Sequence, residues 1–408
     1  MWLGRLGGLA ITTVALVGAY WSMRLAWSDW VYRDDTPQAI RRAIRLAPGN
    51  PDYYRELAAL DAAGSVAALE EAARVDPLNS GIRIELGLAA ESAHDFHKAE
   101  ASLLDAVRLD KTFPPRWTLS EFYFRRRDTE RFWPAVKAAL ATSYGDAAPL
   151  FHNCWTLSSD GREIMDRAIP DRLDILNQYL DYLIGAKRLG EAAPIAGKLL
   201  ARADQASTRA LMRYCDRLLE AGRGPEALAV WNTVAERKLI PYAPLSPESG
   251  RSLTNPAFGT PSIGVGFDWR ILPAAGIDVN RLGEPEGIDI GFSGKQAERC
   301  DILSQYVPLA PRREYVLSVR YRVVGIDTES GLTCRLLEGD NEADLLENSG
   351  SMPGGAAESV RSFRFTTPSR VSLARLVFGY RRAIGTTRID GSVQLRGFAL
   401  SFAPEDRR

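Results

Sequence analysis

The sequence predicts a multidomain fold with three parts in order: an N-terminal transmembrane helix, a solenoid of paired α-helices, and a C-terminal antiparallel β-sandwich. Three observations predict it. An uncharged run lies near the N-terminus, a sequence motif with helical spacing recurs early in the chain, and hydrophobic and polar residues alternate in short runs after residue 255. A chain of 408 residues is also too long for one ordinary core. We place the parts at 1–30 (membrane segment and flank), 36–240 (helical repeats), 241–254 (proline-rich linker) and 255–403 (sandwich).

The composition argues against disorder and against a general attraction to polyanions. Hydrophobic residues make up 46% of the chain and charged residues 25%, with 51 lysines and arginines against 51 aspartates and glutamates. A chain without net charge lacks the basic balance on which non-specific binding to nucleic acid depends. We therefore expect no nucleic-acid partner.

Residues 6–23, LGGLAITTVALVGAYWSM, carry no charge. A helix needs about 20 apolar positions to cross a bilayer core, so the run is just long enough. Two interpretations are open: an uncleaved anchor, or a signal peptide cut after Val17-Gly18-Ala19. We expect the anchor, because the run is longer than a signal-peptide core of about 7 to 15 residues. Arg5 then predicts a cytoplasmic N-terminus and an extracytoplasmic body.

A similar phrase occurs three times, as AIRRAIRLAPGNP (39–51), ALEEAARVDPLNS (68–80) and AEASLLDAVRLDKTFPP (99–115). Each copy begins with small and aliphatic residues at helical spacing, which predicts one buried helix face. A proline stops or follows each helix, because it lacks an N–H and restricts the residue before it. Asn50-Pro51 and Asn79-Ser80 then offer N-caps for the next helix.

From Asp76 to Asp110 the phrase repeats after 34 residues, and each repeat contains two helices. In this spacing, residues 37–240 resemble tetratricopeptide repeats, with small alanines that let paired helices approach closely. The resemblance implies a concave surface that binds a protein partner. Residues 143–170 fit no repeat, so we expect either an irregular helical pair or a functional insertion there.

Beyond the linker, hydrophobic and polar residues alternate in about eight to ten short runs, which predicts strands of an antiparallel sandwich. In one run, Val316, Ser318 and Arg320 face one way while Leu317, Val319 and Tyr321 face the other. The phrases NPAFGTP, GVGFDWR and GSVQLRGFALSF resemble the jelly-roll carbohydrate-binding modules. Arg396-Gly397 stands where many such modules have an acidic residue, which argues against their structural calcium site.

This resemblance implies sugar binding on exposed aromatic rings flanked by polar groups. The candidate ligand-binding residues are Trp269, Gln305, Tyr306, Arg320, Tyr321, Tyr380 and Arg381. The alternative is that these rings belong to the sandwich core, where aromatic residues of strands usually lie. Phe267 and Trp269 in particular stand in a phrase that normally packs inside.

No motif predicts a cofactor, a metal or a catalytic group. His94 and His97 have metal-ligand spacing but no third ligand nearby, and the sandwich has no histidine for a Ser/His/Asp triad. Glu284, Glu286 and Asp289 lie close together in the sequence, in what we interpret as a charged turn that leads into a strand.

The four cysteines form no close metal-ligand pair. Cys300 and Cys334 fall in one predicted domain, so they either form a single bridge in an oxidising compartment or stay buried free thiols.

Taken together, these features predict a non-enzymatic scaffold of the bacterial cell envelope, anchored by one span in the inner membrane. The repeats would bind a protein and the sandwich a glycan or another protein, and proteins with both parts resemble components of polysaccharide assembly or export. Two alternatives stay open: a glycan-processing enzyme with its site on the sandwich, and a purely structural assembly factor.

Overall fold

Helices form the first part of the chain and strands form the second. The structure, a computed structural model, describes residues 2–202, 204–326, 330–338, 345–355 and 357–404, with residues 2–10 and 345 described by their backbone alone. The predicted order of a helical region followed by an antiparallel sandwich is confirmed. Two units are distinguished, residues 1–175 and 176–408, so the second contains the last helices as well as the sandwich.

The helices formed by the described residues are mostly 10 to 16 residues long and separated by tight turns. They are α1 (Trp2–Tyr32), α2 (Pro37–Leu46), α3 (Pro51–Leu60), α4 (Ser65–Val75), α5 (Ser80–Ser92), α6 (Phe96–Leu109), α7 (Phe113–Arg126), α8 (Thr129–Thr142), α9 (Ala148–Leu157), α10 (Gly161–Arg167), α11 (Leu173–Gly185), α12 (Leu189–Ala201), α13 (Gln205–Glu220) and α14 (Gly224–Glu236).

Neighbouring helices pack in pairs through the predicted alanine stripes. Ala68, Leu69, Ala72 and Ala73 form the buried face of α4. The predicted caps are also confirmed: the Asn50 side chain accepts a hydrogen bond from the backbone N–H of Asp52, and the Asn79 side chain accepts from two N–H groups of α5. Residues 143–170 contain the two short helices α9 and α10.

The transmembrane helix was a wrong prediction, and with it the single-pass location in the bacterial inner membrane. None of the helices formed by the described residues has the length and apolarity that a bilayer crossing requires. The run at 6–23 lacks charge, but lacking charge is not the same as being apolar.

The C-terminal end of α1 instead packs with the first helices of the array. Ser28 is fully buried, and its hydroxyl lies 3.1 Å from the Tyr53 hydroxyl of α3. Tyr53 also donates a hydrogen bond to Asp29, and its ring centroid lies 4.9 Å from that of Tyr32.

The sandwich consists of two five-stranded sheets, in which all the pairings are antiparallel. Within the described residues its strands are β1 (Arg270–Ile271), β2 (Ile277–Leu282), β3 (Gly287–Ser293), β4 (Arg299–Pro308), β5 (Glu314–Val324), β6 (Leu332–Leu337), β7 (Leu345–Asn348), β8 (Ser359–Thr366), β9 (Leu373–Arg381) and β10 (Asp390–Phe402). The first sheet has the order β1-β4-β9-β6-β7 and the second β2-β3-β10-β5-β8. On β5 the predicted alternation is confirmed, with Leu317, Val319 and Tyr321 buried in the core.

Within the second unit, the last helical pair packs against the sandwich. Trp231 of α14 is fully buried, stacks on Tyr242 with ring centroids 5.8 Å apart, and meets Phe267 edge-on at 5.9 Å. Asp216 of α13 accepts a hydrogen bond of 2.6 Å from the Arg270 guanidinium. The first sheet is therefore partly covered by α13 and α14.

The predicted linker segment, 241–254, is fixed to α14. The Asn232 side chain makes two hydrogen bonds of 2.8 Å to the backbone of Leu245, one as donor and one as acceptor. Leu245 itself is buried. Because the backbone N–H and C=O of Leu245 are both hydrogen-bonded to Asn232, the path of this segment between α14 and the sandwich is fixed at this point.

Candidate functional site

A ladder of polar contacts joins the first helices of successive pairs in the first unit. Arg55 of α3 makes a two-point ion pair with Glu85 of α5, and Arg125 of α7 makes another with Glu91 of α5. The partners are 30 and 34 residues apart, which matches the repeat spacing. The charged groups of this face are thus largely paired with one another.

Beside this ladder lies a group of aromatic rings in contact with one another, which we call the aromatic surface and define as the exposed Trp117 and Tyr144 and the half-buried Phe113. Trp117, on α7, is 41% exposed and stacks on Phe113 with centroids 5.5 Å apart. Tyr144, in the turn after α8, is 79% exposed and meets Phe113 edge-on at 5.6 Å. Exposed large aromatics in contact with one another are uncommon on a surface that binds nothing.

The Trp117 ring is held in a fixed orientation. Its indole N–H donates a hydrogen bond of 3.2 Å to Glu121 Oε1, one turn further along α7. The same oxygen accepts a bond of 2.7 Å from the Asn153 amide of α9. Because α7 and α9 both fix this carboxylate, the ring presents its face without first having to be ordered.

The aromatic surface was missed by the sequence analysis. Tyr144 is the second residue of the stretch 143–170 that fitted no repeat, and Trp117 stands in the second turn of α7, four residues before Glu121. A tryptophan outside the buried stripe of its helix was the signal that could have located the surface.

Most of the sequence-predicted ligand residues lie inside the sandwich or under its cover. Trp269, Tyr321, Tyr380 and Gln305 are buried, and the Gln305 amide donates a bond of 2.7 Å to the Thr254 carbonyl. Buried rings do not offer a face to a sugar at the surface of this structure.

The remaining three candidates lie on other surfaces, so the structure does not bring the seven together. Tyr306 is buried on the covered side of β4, with the Arg270 guanidinium 4.9 Å from its ring centroid. Arg381 is exposed at the end of β9. Arg320 is exposed on the second sheet, facing away from the core.

The outer face of the second sheet carries four polar residues in register across four strands, which we call the polar row. Asn280 of β2 pairs with Asp289 of β3, Asp289 with Gln394 of β10, and Gln394 with Arg322 of β5. On β3, β5 and β10 the residues on either side of the row are buried in the core. Arg320 lies on the same face, two residues from Arg322.

One atom of the polar row is unsatisfied. Within the described residues, Asp289 Oδ1 is buried without a hydrogen-bond partner. A carboxylate oxygen in this state gains by accepting a hydrogen bond from a ligand or from water. Glu284 and Glu286, the other carboxylates of the predicted turn, are exposed in the hairpin between β2 and β3.

The cysteines and histidines form no site among the described residues. No three His, Cys, Asp or Glu side chains come together as metal ligands there. All four thiols are free, so Cys300 and Cys334 are not bridged. Burial raises the pKa of the Cys334 thiol to about 12, which keeps it protonated and unreactive at neutral pH.

Comparison with known proteins gives likeness in structure but not in sequence. No protein-family model matches the chain, and no curated protein matches it. CBM4 is similar at 13% identity, over 37% of this chain and 100% of that one, with a TM-score of 0.31. The carbohydrate binding module CBM6cm-2 from Cellvibrio mixtus lichenase 5A, in complex with cellotriose, is similar at 10% identity. The likeness covers 32% of this chain and 91% of that one, with a TM-score of 0.22.

Among helical proteins, YrrB, a TPR protein with an unusual peptide-binding site, is similar at 12% identity. The likeness covers 49% of this chain and 93% of that one, with a TM-score of 0.24. At TM-scores of this size, these likenesses add nothing to the sites described above.

Proposed function

We propose that this chain is a non-enzymatic binding scaffold, whose helical array holds a protein partner and whose sandwich holds a glycan. The observation that carries the proposal is the aromatic surface, where Trp117 and Tyr144 are exposed beside a face of self-paired charges. Tryptophan and tyrosine are the residues that most often dominate the energy of protein interfaces. Because the Trp117 ring is held by Glu121 before a partner binds, binding loses less conformational entropy at this residue.

The paired charges beside the rings support a protein partner. Arg55, Glu85, Glu91 and Arg125 already satisfy one another, so a partner that covers them leaves no unpaired charge behind. Protein interfaces usually have an apolar and aromatic centre and a rim of polar groups whose hydrogen bonds are paired.

The polar row supports glycan binding by the sandwich. Its carboxylate, amide and guanidinium groups offer both acceptors and donors to the hydroxyls of a sugar chain, and they lie in line across four strands. With the first sheet partly covered by α13 and α14, the second sheet has the open face. Together with the protein-binding array, such a platform suits a role in the assembly or export of a polysaccharide.

The protein-binding part is tested by co-purification of tagged full-length chain from its native source. We expect a defined set of proteins to be retained by the natural chain and lost when Trp117 is changed to alanine. Leu78→Ala is the matched control, because Leu78 is 78% exposed in the turn between α4 and α5 but lies outside the aromatic surface. Identical sets from all three chains would contradict the proposal.

The glycan-binding part is tested with the full chain on an array of bacterial polysaccharides. We expect Gln394→Ala and Arg322→Ala each to weaken retention about tenfold, since each removes hydrogen bonds to a ligand hydroxyl. Lys295→Ala, an exposed position in the turn after β3, should leave retention unchanged. A failure to bind any polysaccharide would remove this part and leave the protein-binding part standing.

A second candidate function is that of a structural assembly factor. The observation in its favour is the packed joint within the second unit, where Trp231 and Phe267 are fully buried between the last helices and the sandwich. In that case the polysaccharide array would show no retention, and co-purification would still show a partner.

A further inference from the structure

A cleft opens between the two sheets at the side where β1 and β2 are the edge strands. Its volume is about 360 Å³. Six side chains give it apolar walls: Phe258, Trp269, Ile271, Val279, Ile288 and Leu303. It lies on the core side of the second sheet and is therefore separate from the polar row.

The polar groups around the cleft are already committed to one another. The Asn255 carbonyl accepts a bond of 3.2 Å from the Trp269 indole N–H, and the Asn255 side chain makes two bonds to the Thr260 backbone. The Ser262 hydroxyl donates to the buried Asp268 carboxylate at 2.7 Å. A sugar, which needs several hydrogen bonds to replace its water, finds few free partners here.

Arg281 is the exception. It belongs to β2, where it is paired with Ile288 and follows the partly buried Val279 at a distance of two residues, so its side chain leaves the strand on the core side. Among the described residues it makes no hydrogen bond and no ion pair, and it lines the cleft. Glu284 and Glu286, in the same hairpin, form no ion pair with it.

We propose that this cleft binds an amphipathic monoanion, a medium-length aliphatic chain that ends in a carboxylate. The chain would enter between the sheets and replace water chiefly against Ile271 and Val279, the two of the six side chains that keep appreciable exposed surface. The carboxylate would lie at the rim on the Arg281 guanidinium, whose planar fork of N–H donors matches two carboxylate oxygens. This site is independent of the proposed function, because it uses neither the aromatic surface nor the polar row.

The test is isothermal titration calorimetry of the full-length chain with hexanoate, octanoate and decanoate. We expect one site, with an affinity that rises about fourfold for each added methylene until the cleft is full. Arg281→Gln should weaken decanoate about tenfold and leave neutral decanol unchanged. Arg364→Gln, an exposed arginine of β8 on the outer face of the same sheet, is the matched control and should bind like the natural chain.

A second variant blocks the cleft itself. Val279→Phe should abolish decanoate binding, and if its circular dichroism shows a loss of fold, Ile271→Phe fills the cleft from the other wall, where the residue is 46% exposed. The proposal is overturned if decanoate does not bind, if binding survives the blocked cleft, or if cellotriose competes for the site. It is also overturned if Arg281→Gln aggregates but binds decanoate normally, because the arginine then serves only to prevent edge-to-edge pairing of strands.

Discussion

Changing Asp216 to alanine should uncouple the last helices from the sandwich. The Asp216 carboxylate accepts hydrogen bonds from the Gly266 backbone N–H at 2.7 Å and from the Arg270 guanidinium at 2.6 Å. The two side chains of the ion pair are only 22% and 21% exposed. The substitution removes both acceptor contacts and leaves the Arg270 charge partly buried without its partner.

The magnitude follows from that burial. Removing one partner of a buried ion pair costs about 3 to 5 kcal/mol, and a pair that keeps a fifth of its surface exposed belongs near the lower end. In a unit of the size of residues 176–408, each kcal/mol shifts the melting temperature by about 2 to 4 °C. We therefore expect a loss of about 3 kcal/mol, or a decrease of roughly 6 to 12 °C.

The assay is differential scanning calorimetry of the full chain. Arg217→Ala is the matched control on the same helix, because its pair with Glu220 is about half exposed and should contribute less than about 1 kcal/mol. Adding Arg270→Leu to Asp216→Ala should recover part of the loss, since the unpaired charge is then gone. A melting temperature of the Asp216 variant equal to that of the control would refute this account of the joint.

The same carboxyl gives a pH dependence with a definite sign. Burial raises the pKa of Asp216 above its ordinary value of 3.8, against the opposing effect of Arg270. The folded chain then holds this proton more tightly than the unfolded chain, so the group's contribution to stability falls as pH rises from 3.8 through the raised pKa. The difference in stability between the natural chain and Asp216→Ala should therefore increase as the pH is lowered through that range.

Three further predictions concern packing and reactivity. Gly266→Ala should cost about 2 to 4 kcal/mol in thermal unfolding, because the residue has a φ of +62° and a Cβ there would overlap the Trp231 ring. Gly87→Val should destabilise the first unit by about 1 to 3 kcal/mol, because even a Cβ at this position would come within 2.7 Å of Leu103 between α5 and α6. A variant that unfolds at the same temperature as the natural chain would contradict this. Cys300, half-buried, should react with a thiol reagent before the three buried cysteines, so simultaneous labelling of the native chain would count against the structure.

The helical region could be predicted because its signals are local. An apolar stripe at helical spacing, a cap residue and a proline act within a few residues of one another, so Ala68 to Ala73 and the cap at Asn79 followed from the sequence alone. The membrane prediction rested on the absence of charge at 6–23, but none of the helices formed by the described residues is long and apolar enough to cross a bilayer. The aromatic surface is not local, since Tyr144 meets Phe113 only after α7 and α8 have paired.

In the sandwich, alternation predicts two faces but does not reveal what covers them. On β5 it placed Tyr321 with Leu317 and Val319, and that face is indeed the core, which leaves the Tyr321 ring without access to a ligand. Arg320, on the opposite face, is exposed. The predicted ligand residues were chosen by residue type, so they include residues of both faces of the strands. Only the face that points away from the core is accessible to a ligand.

The cover on the first sheet decides where a ligand can bind in the second unit. Gly224, at the start of α14, has no side chain, and a Cβ there would come within 2.9 Å of Leu373 on β9. The absence of a side chain at Gly224 therefore lets α14 approach β9 closely. This contact and the Asp216 ion pair place α13 and α14 over the side of β4 that carries Tyr306. This cover leaves less of the first sheet accessible on that side. The second sheet, with its polar row, and the apolar cleft at the β1–β2 edge remain accessible, and they are the two surfaces of the sandwich on which we propose that ligands bind.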